Sequence, residues 1–143
     1  IAYETMWGGT ENVARSILAG AASAGIPVKL FRLNSSDNSH IVAELLEAGG
    51  VLFGSPTLNY GMMPAMGGLL TYLKGLKPGK KLAAAFGTYG WSGGAQKDME
   101  EFLAKAGFEL QPGFNCKWKP QSSETGDAEK FGYEFAMKIK ENK

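Results

Sequence analysis

Three stretches of the chain concentrate the groups that could hold a ligand. They are Glu4-Thr5-Met6-Trp7-Gly8-Gly9-Thr10, Gly54-Ser55-Pro56-Thr57-Leu58-Asn59-Tyr60-Gly61-Met62-Met63-Pro64 and Gly87-Thr88-Tyr89-Gly90-Trp91-Ser92-Gly93-Gly94. The first leads straight into a helical pattern. Its hydroxyls and free backbone N–H groups therefore lie at a helix N-terminus, an anion site by geometry and by dipole. It carries no Lys or Arg. A P-loop needs Gly-x-x-x-x-Gly-Lys-Ser/Thr and a dinucleotide fingerprint needs Gly-x-Gly-x-x-Gly, and neither is present. A neutral loop of this kind suits a single terminal monoester phosphate held by hydrogen bonds alone. The plainer reading is a strand-to-helix turn with Thr10 as N-cap.

The other two stretches bear on that choice. Tyr60, Tyr89 and Trp91 fall on loops rather than on the inward face of a helix or strand. Singly, each reads as an anchor packed on the core. Gathered around a phosphate loop, they read as walls for a flat aromatic ligand. A phosphate at one end and a planar ring at the other describe flavin mononucleotide (FMN).

The elements that must bring these stretches together alternate regularly. Ile1–Tyr3 ends a strand, and it is short enough for a central strand that the numbering reads as starting inside one. Val13, Ala14, Ile17, Leu18 and Ala21 mark one face of a helix over Thr10–Ala24, stopped by Gly25. Pro27–Leu33 alternates like a half-buried strand, and Asn34–Ser39 is turn and cap chemistry. A short helix follows over His40–Ala48, then a buried strand over Gly50–Gly54. Pro64–Leu76 reads as a helix, Lys81–Gly87 as a strand and Gly94–Ala106 as a helix. Phe108–Trp118 is a last strand region, broken by Pro112-Gly113, and Asp127–Lys140 is a final amphipathic helix. Strands separated by single helices imply a parallel sheet with right-handed crossovers. The expected fold is α/β: a doubly wound five-stranded parallel sheet, order 2-1-3-4-5, with helices on both faces. Ligands then sit beyond the carboxyl ends of the strands, at the loops after strands 1, 3 and 4, which are the three stretches above.

Composition excludes other chemistries. The chain has 143 residues, of which 20 are Gly, one is Cys and one is His. One Cys and one His allow neither a disulfide framework nor a Cys- or His-rich metal centre, so no metal site and no catalytic residue is assigned. His40, at the start of a helix, reads as a surface or capping residue. Cys116 reads as a buried hydrophobe. Asp98, Glu100 and Glu101 read as a solvated helix face rather than an acid/base pair. Fifteen basic against 14 acidic residues leave a net charge of +1, without the clustered excess of a nucleic-acid binder. No apolar run approaches the roughly 20 residues needed to span a bilayer, and no signal peptide opens the chain, so a reduced, cytoplasmic setting is expected.

The stretch Tyr3–Thr10, followed by Ala14 and Ile17, resembles the flavodoxin signature: aromatic, any, Ser/Thr, two any, small, any, Thr, three any, Ala, two any, aliphatic. Thr5-Met6-Trp7-Gly8, Ser55-Pro56-Thr57-Leu58-Asn59-Tyr60-Gly61 and Tyr89-Gly90-Trp91-Ser92-Gly93 are similar to the C-terminal flavodoxin-like domain of flavodiiron proteins (A-type flavoproteins). The resemblance covers essentially all of residues 1–143 and implies one FMN-binding domain. It implies that Thr5, Gly8, Thr10 and the backbone of Met6 to Gly9 hold the phosphate. It implies that Pro56, Thr57, Leu58, Asn59 and Gly61 follow the ring edge. Thr88, Tyr89, Gly90, Trp91 and Gly93 would line the other side, with Tyr60 and Trp91 stacking and Trp7 over the phosphate or ribityl chain. A carbonyl near Asn59–Gly61 would accept a hydrogen bond from the reduced ring, with Gly61 giving the peptide its freedom to rotate.

The family implies an electron-transfer domain that takes electrons from rubredoxin or a reductase and passes them to a di-iron site reducing oxygen or nitric oxide. That site lies in a separate domain, which this chain with its single His does not contain, so an enzymatic role of its own is left open. Shuttle flavodoxins are generally acidic, whereas this chain is near neutral, which favours an assembly-borne acceptor over a freely diffusing one. A free-standing flavodoxin-type carrier and an FMN-dependent NAD(P)H or quinone reductase remain the alternatives. A phosphate-switched receiver would need an Asp where Ser55 stands.

Overall fold

Apolar runs bounded by glycine form the centre of the molecule, and the computed structural model describes all of residues 1–143. Strands β3 (Gly50–Pro56) and β4 (Leu82–Tyr89) pair in parallel along their whole length, from Gly50 opposite Leu82 to Pro56 opposite Thr88. On the far side of β3 lies β1 (Ala2–Tyr3), and beyond it β2 (Phe31–Arg32). On the far side of β4 come β5 (Glu109–Leu110) and β6 (Phe114–Lys117), both parallel to it. The sheet order is β2-β1-β3-β4-β5, with β6 also on β4, which is the doubly wound order expected.

Side chains alternate across this sheet as the two-residue period of a strand requires. Val51, Phe53, Ala83 and Ala85 face α2 (Asn38–Glu47), α3 (Pro64–Leu76) and α4 (Ala95–Lys105), where they meet Leu45, Leu69 and Leu103. Leu52, Leu82, Ala84 and Phe86 face α1 (Gly9–Ser23) and α5 (Ser122–Glu141), where they meet Ile17 and Phe135. Helices thus cover both faces. Two glycines let α1 and α5 cross closely: a Cβ on Gly20 would sit 1.8 Å from the Glu129 carbonyl oxygen, and one on Gly132 would sit 2.1 Å from that of Ile17.

Strands β3 and β4 run past their expected ends, to Pro56 and Tyr89, so Tyr89 closes a strand and does not lie on a loop. The strand expected over Pro27–Leu33 pairs with β1 only at Phe31–Arg32 and turns into a 3-10 segment at Leu33–Ser35. The last strand region divides at Pro112-Gly113, as expected, into β5 and β6. Gly113 lies so close to β4 that a Cβ there would be 2.3 Å from the Ala85 oxygen. Helix α5 starts at Ser122 rather than Asp127, because Gln121 and Glu124 form a reciprocal capping box. Asp37 caps α2 by accepting from the Ser39 N–H, within the stretch read as cap chemistry. His40 is exposed and edge-on to Phe31, 5.5 Å between ring centres.

Candidate functional site

The turn from β1 into α1 is built on hydroxyl contacts. The Gly8 N–H donates to Thr5 Oγ1 (3.0 Å), and Gly8 takes a left-handed φ of 88° that turns the chain into the helix. Gly8 is therefore the N-cap, and Thr10 is not. Thr10 is instead wholly buried, with its Oγ1 2.9 Å from Thr88 Oγ1 at the end of β4. Asn12 makes the first intrahelical bond, to the Gly8 carbonyl. The N–H groups of Met6, Trp7, Gly9 and Thr10 donate to nothing in the chain. They form a set of free donors at a helix N-terminus, with the helix dipole behind them.

Glu4 belongs to the support of this region rather than to its ligand face. It is buried, and its Oε2 accepts from the Met66 N–H at 3.2 Å, capping the start of α3 from the end of β1. Ser55, also buried, donates to the Pro56 carbonyl and accepts from the Met63 N–H at 2.9 Å.

The loop after β3 closes on itself. The Leu58 N–H donates to the Gly61 carbonyl (2.8 Å) and the Gly61 N–H returns to the Leu58 carbonyl (3.0 Å). The two residues between them, Asn59 (φ 48°) and Tyr60 (φ 65°), are both left-handed, as a type I′ turn demands. Gly61 itself is not in the left-handed region. The unusual backbone of the loop lies at Asn59 and Tyr60. Asp98 departs from the expected solvated face. It is half-buried, and its Oδ2 accepts from the Met62 N–H at 3.1 Å, so it is not part of a solvated face. Glu101 is exposed, and Glu100 accepts from Gln96.

The three loops meet in one cleft of about 720 Å³ beyond the carboxyl ends of β1, β3 and β4. Thr5, Met6, Trp7, Gly9 and Thr10 line one end. Pro56, Thr57, Leu58, Asn59 and Tyr60 line one side, and Thr88, Tyr89, Gly90 and Trp91 the other. Gly8, Gly61 and Gly93 are not among the residues that line it. Ser92, within the third loop, also lines the cleft, and so do Trp118 and Lys119, which the sequence reading missed. Trp118 and Lys119 follow the last strand, and only the pairing of β6 with β4 brings them there. The Trp118 N–H donates to the Tyr89 carbonyl at 2.7 Å, and its ring meets Trp91 edge-on, 5.1 Å between centres at 76°. Lys119 adds a cation to a site that its first loop alone would leave neutral. Trp7, Tyr60 and Trp91 are 94%, 79% and 92% exposed, so the rim is open and aromatic.

This geometry stands the test of an FMN-sized ligand. Its volume lies in the range of small-molecule sites. One end offers free N–H donors and hydroxyls, as a phosphate needs, and the other offers aromatic walls, as a planar ring needs.

The family model described as Flavodoxin matches residues 1–132. The chain belongs to the flavodoxin family. Flavodoxins are FMN-binding proteins. A nitric oxide reductase of Moorella thermoacetica is 43% identical over 141 residues, which are 97% of this chain and 35% of that protein. The solved structure of rubredoxin oxygen:oxidoreductase from Desulfovibrio gigas superposes with a TM-score of 0.94 at 34% identity, over 98% of this chain and 35% of that one. A flavodoxin from the domain Archaea superposes with a TM-score of 0.88 at 28% identity, over 97% of this chain and 96% of that one. The chain spans about a third of the length of the curated relatives it matches. It is a flavodoxin-like domain related to flavodiiron proteins, and no helix is long and apolar enough to cross a membrane. No three His, Cys, Asp or Glu side chains are grouped as a metal site.

Proposed function

We propose that this chain is an FMN-binding electron-transfer domain that relays electrons one at a time. In this reading the donor is rubredoxin or a reductase, and the acceptor is a di-iron site in a separate domain that reduces oxygen or nitric oxide. The setting is reducing and cytoplasmic. The observation that carries the proposal is a single cleft with free helix N-terminal donors at one end and open aromatic walls at the other.

The chain's own residues would divide the work. The N–H groups of Met6, Trp7, Gly9 and Thr10, with the hydroxyls of Thr5 and Thr10, would hold the phosphate. Thr88 would fix Thr10 in place, and Lys119 would add its charge from the rim. Tyr60, Trp91 and Trp118 would flank the ring, and the Leu58–Gly61 turn would follow its edge. FMN, when bound, supplies the one-electron chemistry, and the protein orients it and sets its potential. The similarity to a nitric oxide reductase and to a rubredoxin-oxygen oxidoreductase supports the choice of partners.

The test is to load the purified chain with FMN and titrate it electrochemically. A stoichiometric flavin spectrum with one-electron reduction steps, and no oxidation of NAD(P)H by the chain alone, is the expected result. Turnover of NAD(P)H by the chain alone would instead identify a reductase.

A further inference from the structure

The Leu58–Gly61 turn holds two non-glycine residues in a left-handed backbone, one of them bulky. Such a conformation persists only where its surroundings enforce it. The enforcement comes largely from the start of α4. Gly94 lies directly against Tyr60, and a Cβ there would be 2.0 Å from the Tyr60 carbonyl oxygen. The Ala95 N–H donates to Thr57 Oγ1 at 3.3 Å, ahead of the turn. Asp98 accepts from the Met62 N–H at 3.1 Å, just after it. Gly61 makes room for that carboxylate, because a Cβ on Gly61 would be 2.9 Å from Asp98 Oδ2.

We propose that Asp98 is a positioning residue that clamps the Leu58–Gly61 turn onto α4 and thereby fixes the backbone that follows the flavin edge. The clamp explains a glycine at 61 in an ordinary backbone conformation: the space is needed by the Asp98 carboxylate. The flavin part of this proposal rests on the function proposed above, and the clamp itself does not.

The test compares D98A, D98N and wild type. In the chain without FMN, amide exchange at Met62 should be faster in D98A by about tenfold or more, the weight of a hydrogen bond to a charged acceptor. Exchange at Leu52 in the core of β3 should be unchanged. D98N keeps an acceptor oxygen and should stay close to wild type. With FMN bound, loss of the charge alone would move the midpoint potential equally in D98A and D98N, so a separate D98A value reports the position of the turn. In addition, G61A should shift the potential in the wild-type background and have no further effect in D98A, because contacting residues do not act independently. Unchanged Met62 exchange in D98A, exchange raised equally at Leu52, or one potential shared by D98A and D98N would each overturn the proposal. Failure of the wild-type chain to bind FMN would overturn the function instead, while the exchange data would still decide the clamp.

Discussion

The two ends of the cleft are built in opposite ways. At the phosphate end the hydroxyls are already held in place, Thr10 enclosed and bonded to Thr88 and Thr5 bonded to the Gly8 N–H, and the free backbone N–H groups beside them stand on a fixed turn. At the ring end the large side chains stand open, with Tyr60 and Trp91 mostly exposed, and the order lies in the backbone of a left-handed turn. A preformed end holds a ligand at little ordering cost, so it should set affinity. An open end, positioned by one turn and a few aromatic rings, should set potential and contact with partners.

Removing the phosphate end tests this division most severely. The Thr5→Ala, Thr10→Val pair removes two hydroxyls that would bond a charged phosphate, and FMN affinity should fall about 100-fold or more. The potential of the flavin that still binds should hardly move, as titration calorimetry and electrochemistry together would show. Trp91→Ala removes one aromatic wall and its contact with Trp118, so affinity should fall about tenfold at most. A loss at Trp91 larger than the loss at Thr5 and Thr10 would reverse the assignment of the two ends. Gly61→Ala sharpens the comparison from the other side. It should change affinity only slightly while shifting the potential, since its new methyl would displace Asp98 rather than touch the phosphate end.

The smallest effect is expected at Cys116, which pairs with Thr88 in the sheet but does not itself line the cleft. Burial pushes its thiol up to about 11, and the Glu124 carboxylate adds to the rise. The folded state therefore disfavours the thiolate, and stability should fall as pH climbs past the ordinary thiol value toward 11. Iodoacetamide should leave Cys116 unlabelled at neutral pH, with or without FMN.

Local signals account for what could be read in the chain itself. The strand order followed from the alternation of apolar runs and helical patterns, and the three loops from their glycines, hydroxyls and aromatics. What escaped was non-local. Asp98 looks solvated along its own helix and is occupied only because the turn 36 residues earlier folds onto it. Trp118 and Lys119 reach the cleft only through the register of β6 against β4. The 20 glycines serve different ends: Gly8 turns the chain into α1, Gly20 and Gly132 allow a helix crossing, and Gly113 allows a close approach to β4. Composition does not separate these uses, because a missing Cβ looks the same in each.

The central claim is that the Thr5–Thr10 end holds a phosphate and thereby anchors the flavin. Riboflavin has the same ring and ribityl chain as FMN but no phosphate, so the two ligands differ only at that end. Fluorescence titration of the purified chain with each should show FMN binding tighter by about 100-fold or more, the weight of several hydrogen bonds to a charged group. Equal affinity for FMN and riboflavin would contradict the claim.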